Sequence, residues 1–270
     1  MTKICFVGGG NMASAMLAGL RKKHLTLDCH VVEPFAEARE KLAALNVTVY
    51  PAVHRAAVAG ADAVVLAVKP QVLGQVCREL LPCLDGELIV SIAAGVRINT
   101  LTRWLGGHSR IVRTMPNTPA LIGQGVTGVY APALLAATDL ATATELMQST
   151  GVVLSVENEA MIDAVTAVSG SGPAYVFHWI ESMLAAAEDV GFNAADARTL
   201  VLGTLKGATA LAEASDVSPG VLRERVTSKG GTTAAALAVL NERDVAGAML
   251  QAVRAAKDRG ADLGDLLDRE

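Results

Sequence analysis

The run Lys3-Ile4-Cys5-Phe6-Val7 ends abruptly in Gly8-Gly9-Gly10-Asn11-Met12-Ala13, and few local sequences leave a chain so little choice of fold. A strand-length apolar run, then GxGxxA, then helix-forming residues is the first turn of a dinucleotide-binding βαβ unit. Gly8 permits the tight turn, Gly10 lets a pyrophosphate approach the main chain, and Ala13 lets the helix pack against the strand. Val7, Gly9, Asn11 and Met12 complete the loop, and the helix N-terminus behind it offers free N–H groups and partial positive charge to phosphates. The motif gains weight from its place between strand and helix and from an acid closing the next strand, Glu33 of His30-Val31-Val32-Glu33. Glu33 has two readings. It accepts hydrogen bonds from the adenosine ribose, or it is a solvated carboxylate at a strand end. In the first role it repels a 2′-phosphate and favours NADH. Arg39 and Lys41 on the following helix work against that repulsion, so NADPH and NADH both stay open.

Strand-like runs recur at 3–7, 30–33, 47–50, 63–68, 88–92 and 110–114, with helical segments at 12–22, 35–45, 71–81 and 97–105. That alternation predicts a mainly parallel, doubly wound sheet, which runs at 126–130 and 152–156 extend. Beyond 158 the pattern changes. Segments 159–190, 194–214, 218–227, 232–242 and 244–267 are rich in Ala, Leu, Glu and Arg with helical apolar spacing. Gly191-Phe192-Asn193 reads as a helix stop, and Ser218-Pro219 as an N-cap with proline in the first turn. The expected class is α/β: a Rossmann-like dinucleotide domain over 1–158 and an all-helical domain over 159–270.

Hydrophobic residues make up 51% of the chain and mean hydropathy is +0.39, yet no apolar run approaches the ~20 residues a bilayer requires. Much of the apolar content is Ala, with aromatics only 3%, as suits close-packed helices. Glycines with Asn11 interrupt the first apolar run, which makes it a poor signal peptide. The four cysteines, Cys5, Cys29, Cys77 and Cys83, form neither a CxxC pair nor a zinc-spaced cluster. Cys5 and Cys29 fall in expected buried strands and read as small hydrophobes. Net charge is −4, without a basic stripe, and Arg21-Lys22-Lys23 close a helix. The expectation is a cytoplasmic protein with no metal, nucleic acid or membrane partner.

Five later stretches exceed generic dinucleotide-binding sequence: AVKP at 67–70, SIAAG at 91–95, MPNTP at 115–119, SGSGPAY at 169–175 and SKGGTT at 228–233. In this order over the full length they resemble the pyrroline-5-carboxylate reductase family. The resemblance implies hydride transfer from NADPH or NADH to the ring imine of 1-pyrroline-5-carboxylate, giving L-proline. It also implies a helical domain that forms homodimers, with five dimers in a decamer as the further possibility. By position it puts the coenzyme on Val7, Gly8, Gly9, Gly10, Asn11, Met12, Glu33, His54, Ala67, Val68, Lys69, Pro70, Ile92, Ala93, Ala94 and Asn117. AVKP stands at the carboxyl end of strand four, where doubly wound folds bind ligands. Lys69 reaches ribose or phosphate there, or is an ordinary exposed lysine. Pro116 and Pro119 stiffen the Asn117 loop, either to hold its side chain near the nicotinamide or simply as a turn.

For the substrate the resemblance implies Ser228, Gly230, Gly231, Thr232 and Thr233, with Thr233 as the catalytic residue near the ring nitrogen. Asp216 matches a family Glu near the substrate. SKGGTT opens an Ala/Leu-rich helix, and free N–H groups beside paired glycines suit a carboxylate. A plain helix cap is the other reading. Lys229 stands where many family members have proline. SGSGPAY opens or interrupts the long helix at 159–190, and Tyr175, Phe177, His178 and Trp179 read as packing. Two rivals remain. A β-hydroxyacid dehydrogenase needs a lysine, and an asparagine four residues on, in the helix opening the second domain. SGSGPAYVFHWIESMLAAAE has neither. A nucleotide sensor without turnover has no use for SKGGTT.

Overall fold

In the computed structural model, which describes residues 3–23 and 27–269, short aliphatic runs form one eight-stranded sheet, buried on both faces at its middle and more open at its edge strands. The first half runs β1 (Lys3–Val7), α1 (Asn11–Lys23), β2 (Asp28–Val32), α2 (Ala36–Ala43), β3 (Thr48–Tyr50), α3 (Arg55–Val58), β4 (Ala63–Leu66), α4 (Pro70–Leu80), β5 (Leu88–Ser91), α5 (Ile98–Trp104) and β6 (Ile111–Met115). There follow β7 (Gly125–Tyr130), α6 (Ala137–Gln148) and β8 (Gly151–Ser155). Spatial order is β3-β2-β1-β4-β5-β6-β7-β8. All neighbours are parallel except β6 and β7, so β7 and β8 run against the rest.

Alternation within β1 shows why both faces are covered. Ile4 and Phe6 join one core with Met16, Leu17 and Val65, while Cys5 and Val7 join the other with Leu66, Leu73 and Ile89. A parallel strand buried on two sides reads as a continuous apolar run, which is how these strands stand out in the sequence.

The helical part comprises α7 (Ala160–Val165), a π turn over Thr166–Gly170, α8 (Gly172–Asp189), α9 (Ala194–Glu213), α10 (Pro219–Arg225), α11 (Thr232–Glu242) and α12 (Val245–Leu267). Gly191, at φ +106°, follows α8, and Asn193 caps α9 by accepting from the Asp196 amide. Ser218 caps α10 with Pro219 in the first turn. SGSGPAY thus meets the long helix at a π turn with Pro173 in the turn after it.

By packing, the chain divides at different places from a cut at 158. One compact unit holds residues 1–173 with 255–270, and the other holds 174–254. The last turns of α12 therefore belong to the unit that contains the sheet. In the other unit, α10 and α11 bury no residue and α9 buries only Ala197 and Val201. Among the described residues no helix is long and apolar enough to cross a membrane.

Candidate functional site

Three main-chain hydrogen bonds set the expected coenzyme segments side by side. The amide of Gly8 donates to Val32 O (2.9 Å), that of Ala67 to Val7 O (2.8 Å) and that of Ile92 to Leu66 O (3.2 Å). Each bond joins the first residue past one strand to the last carbonyl of its neighbour, across the carboxyl ends of β2, β1, β4 and β5. This is the edge at which a doubly wound sheet receives ligands. Gly8 needs to be glycine twice over. Its φ is +103°, and a Cβ there would stand 2.7 Å from the Ala67 carbonyl oxygen. At Gly10 an added Cβ would meet nothing within 4 Å, so the main chain faces open space where a pyrophosphate would lie. The α1 ladder opens with the Ser14 amide bonding Gly10 O. The amides of Asn11, Met12 and Ala13 precede it, as at any helix start.

Glu33 is only 6% exposed. Its Oε2 accepts from the Gly9 amide (3.0 Å) and its Oε1 from the Phe35 amide (2.9 Å). The carboxylate thus fixes the glycine loop to the end of β2, and each oxygen keeps a lone pair for a ribose hydroxyl. The solvated-carboxylate reading does not describe it. Beside it opens a cavity of about 460 Å³ lined by Gly9, Gly10, Asn11, Phe35 and Lys41, among others. Lys41 pairs with Glu37 at 2.9 Å, while Arg39 folds onto the carbonyls of Glu33 and Pro34. Together the positive-φ glycine, the open space at Gly10 and this cavity fit a dinucleotide.

The remaining expected coenzyme residues are held in distinct ways. His54 caps α3, its Nδ1 accepting from the Ala56 amide (3.1 Å), and its ring stacks on Tyr50 at 6.1 Å between centroids. Val68 lies within 2.9 Å of a Cβ placed on Gly8. Lys69 is exposed at the N-cap of α4 with Pro70 behind it. Ile92 and Ala94 are half-buried and Ala93 buried, its amide donating to Ser91 Oγ (3.3 Å). Asn117 has a structural task. Its Nδ2 donates to Ser169 O (3.0 Å) in the π turn, and its Oδ1 accepts from the Val126 amide (2.8 Å). A π turn leaves carbonyls out of register with the helical ladder, and the Asn117 side chain satisfies one of them.

In the other unit, SKGGTT forms the turn into α11. Gly230 has φ +71°, Gly231 is the N-cap, and Thr232 and Thr233 are the first two helical residues. Ser228, Lys229, Gly230 and Thr232 are exposed, whereas Gly231 and Thr233 are half-buried. The ladder begins with the Ala235 amide on Gly231 O (3.1 Å), so the amides of Thr232, Thr233 and Ala234 precede it. A side chain at Gly231 would begin 2.4 Å from Ser228 Oγ and crowd that opening. Asp216 is exposed in the turn between α9 and α10.

One buried charge escapes a motif-based reading. Arg113, in the middle of β6 and 1% exposed, pairs with Asp163 Oδ1 (2.8 Å) and Glu159 Oε1 (3.2 Å) on or beside α7. Glu159 Oε1 also accepts from the Ile98 amide at the start of α5 (2.8 Å). The sequence signal was an arginine inside the apolar run RIVRT and two acids four residues apart. Among the described residues no group of three His, Cys, Asp or Glu side chains is gathered as a metal site.

Two family models match successive parts of the chain. Residues 159–263 match the family model for pyrroline-5-carboxylate reductase dimerisation. Residues 3–95 match the model described as NADP oxidoreductase, coenzyme F420-dependent. A pyrroline-5-carboxylate reductase of Pseudomonas aeruginosa is 43% identical, covering 98% of each chain. One from Haemophilus influenzae is 38% identical over 97% of this chain and 98% of its own. Among solved structures, a pyrroline-5-carboxylate reductase from Coxiella burnetii superposes with a TM-score of 0.89 at 35% identity, covering 97% of this chain and 98% of the other. The Plasmodium falciparum enzyme, solved with NADP bound, gives 0.87 at 29% identity over the same shares.

Proposed function

The chain belongs to the pyrroline-5-carboxylate reductase family, and from that premise we propose how its own residues divide the reaction. The protein is an NAD(P)H-dependent reductase that converts the ring imine of 1-pyrroline-5-carboxylate to the amine of L-proline. The coenzyme, when bound, supplies the hydride. The chain's residues bind, orient and handle the proton.

The observation that carries the coenzyme assignment is the row of main-chain bonds aligning Gly8, Ala67 and Ile92 across adjacent strand ends. In this reading, Val7 to Met12 cradle the pyrophosphate, with the amides of α1 turned to its charge. Glu33 fixes the loop and accepts from the ribose. His54, with Lys69 and Pro70, lines the adenosine and ribose side, while Ile92, Ala93 and Ala94 take the nicotinamide side. Asn117 acts by holding the π turn.

The substrate carboxylate is assigned to the open amides of α11, with Gly230 and Gly231 giving backbone access and Ser228 and Thr232 adding hydroxyls. The Thr233 hydroxyl is placed at the ring nitrogen. A threonine is too weak an acid to drive the step. Its role is to orient the nitrogen, whose proton comes from water or from an iminium formed beforehand. The protein forms homo-oligomers through its helical part, a dimer in this proposal with five dimers in a decamer, and works in the cytoplasm.

The test follows loss of nicotinamide absorbance with 1-pyrroline-5-carboxylate, offering NADPH and NADH separately. Rapid substrate-dependent oxidation is expected, and Gly231→Val should lose at least ~100-fold in turnover through misplacement of the substrate, with coenzyme affinity unchanged. Normal turnover by Gly231→Val would overturn the assignment of SKGGTT. Binding without turnover in the parent protein would favour the sensor.

A further inference from the structure

The segment just past β5 is gripped by the end of the last helix. Arg97 Nη1 bonds Asp268 Oδ2 (2.6 Å), while Nη2 pairs with Asp265 Oδ1 (2.7 Å) and donates to Ala261 O (3.3 Å). The Thr100 hydroxyl donates to the other oxygen of Asp268, and Arg103 reaches Leu267 O (3.3 Å). Backbones also approach closely. Gly95 takes φ +75°, and a Cβ on it would stand 3.2 Å from Leu263 Cβ. A Cβ on Gly264 would stand 3.1 Å from Gly95 O and 3.0 Å from Arg97 Nε. Both Gly260 and Gly264 are buried.

These contacts lie within one compact unit and converge on Gly95–Arg103, immediately after Ile92-Ala93-Ala94. The local environment favours the charged form of both partners. Burial pulls the Arg97 guanidinium down, but the hydrogen bonds and charges of Asp265 and Asp268 outweigh it, leaving it above its ordinary value. Burial likewise pushes Asp268 up, and bonds from Thr100 and Arg97 bring it below the usual carboxylate range. Glu159 holds the same end of α5 from another side, at the Ile98 amide. A loop pinned where it enters α5 is ordered before ligand arrives, and order present beforehand raises affinity.

We propose that Arg97 and Asp268 form a latch by which the end of α12 positions the Ile92–Ala94 segment for the coenzyme, making them positioning residues for the reduction. This rests on the reading of Ile92–Ala94 as coenzyme contacts. The prediction is a split between kinetic constants. A loosened loop must be reordered on binding, so coenzyme KM rises, whereas turnover at saturating coenzyme and the KM for 1-pyrroline-5-carboxylate are retained.

The test compares Arg97→Ala, Asp268→Asn and their combination in the full-length oligomer, with direct titration of NADPH by fluorescence. Each single change should raise coenzyme KM and dissociation constant by about tenfold, and the double change by little more, because partners in one contact are not additive. Arg97→Lys, which keeps the charge but loses the fork, should recover part of the loss. Should Arg97→Ala fail to fold, the near-isosteric Asp268→Asn carries the same comparison. Coenzyme constants within about twofold of the parent in Asp268→Asn would overturn the latch, as would equal losses in every constant. Ala94→Glu separates the two readings. If it binds coenzyme normally, the segment assignment fails. If it loses coenzyme while the latch variants do not, only the latch fails.

Discussion

In the unit that holds the sheet, β4 and β5 are buried from end to end, whereas in the other unit α10 and α11 bury no side chain at all. The apolar residues are present in both. Along the helices, Phe177 is 58% exposed and Trp179 42%, with Leu200, Leu211, Val239 and Leu250 all near half. The central strands, with helices on both faces, close their own core, and only edge strand β8 leaves large apolar residues of the sheet, Val152 and Leu154, more than half exposed. Helices with apolar residues left outward need another surface, because so large an apolar area is rarely left to water. The match of 159–263 to a pyrroline-5-carboxylate reductase dimerisation family supports homo-oligomerisation, and a second copy of the chain is the surface we propose for them. One region holds a closed core, and the other keeps most of its apolar residues outward.

The largest expected effect breaks the second region alone. Phe177→Glu with Trp179→Glu puts two carboxylates where an interface core would be, at about 3 kcal/mol or more of association energy. Sedimentation should show a smaller species that still binds coenzyme. An unchanged oligomer would remove these side chains from the interface and weaken the contrast between the regions.

The contrast also explains what was legible in the sequence. Strands buried on two faces leave continuous apolar runs, so the order of elements was readable to within a few residues. Asp28 opens β2 with a polar residue, and the strand was expected only from His30. Helix α6, ATDLATATELMQ, is rich in threonine, which weakens its helical signal, and α3 has only four residues. The π turn depends on Asn117, far away in sequence, and no local pattern predicts it. Glu33 was visible as an acid at a strand end. Its grip on the Gly9 and Phe35 amides depends on how loop and strand meet in space. The latch joins residues 171 apart in the chain, and nothing near Arg97 announces Asp268.

A smaller effect tests the first region in isolation. In Gly8→Ala the new methyl meets the Ala67 carbonyl at 2.7 Å, at a φ that side chains rarely adopt. Strain of this kind costs about 1–3 kcal/mol. Expected are a lower melting temperature and a loss of coenzyme affinity of about tenfold or more from the displaced loop, with oligomer size unchanged. If Gly8→Ala also dissociates the oligomer, the two regions are not independent in the way their burial suggests.

The smallest effect is the most sensitive to that independence, because all four cysteines precede residue 174 and report on the first region only. Burial pushes the thiols of Cys5 and Cys77 up to about 12 and raises that of Cys29, while Cys83 is half-exposed. In an unfolded chain a thiol ionises near ~8.5. Keeping these thiols neutral therefore stabilises the fold fully below that pH, and the contribution is lost as pH rises toward 12. At neutral pH a thiol reagent should modify Cys83 quickly and the other three only as fast as the fold opens. The same pattern is expected in the Phe177→Glu, Trp179→Glu variant, since its first region keeps its core without the second copy. Should Cys5 and Cys77 become reactive there, the sheet-bearing unit also depends on the partner for its stability. The core of the first region would then be secure only in the oligomer.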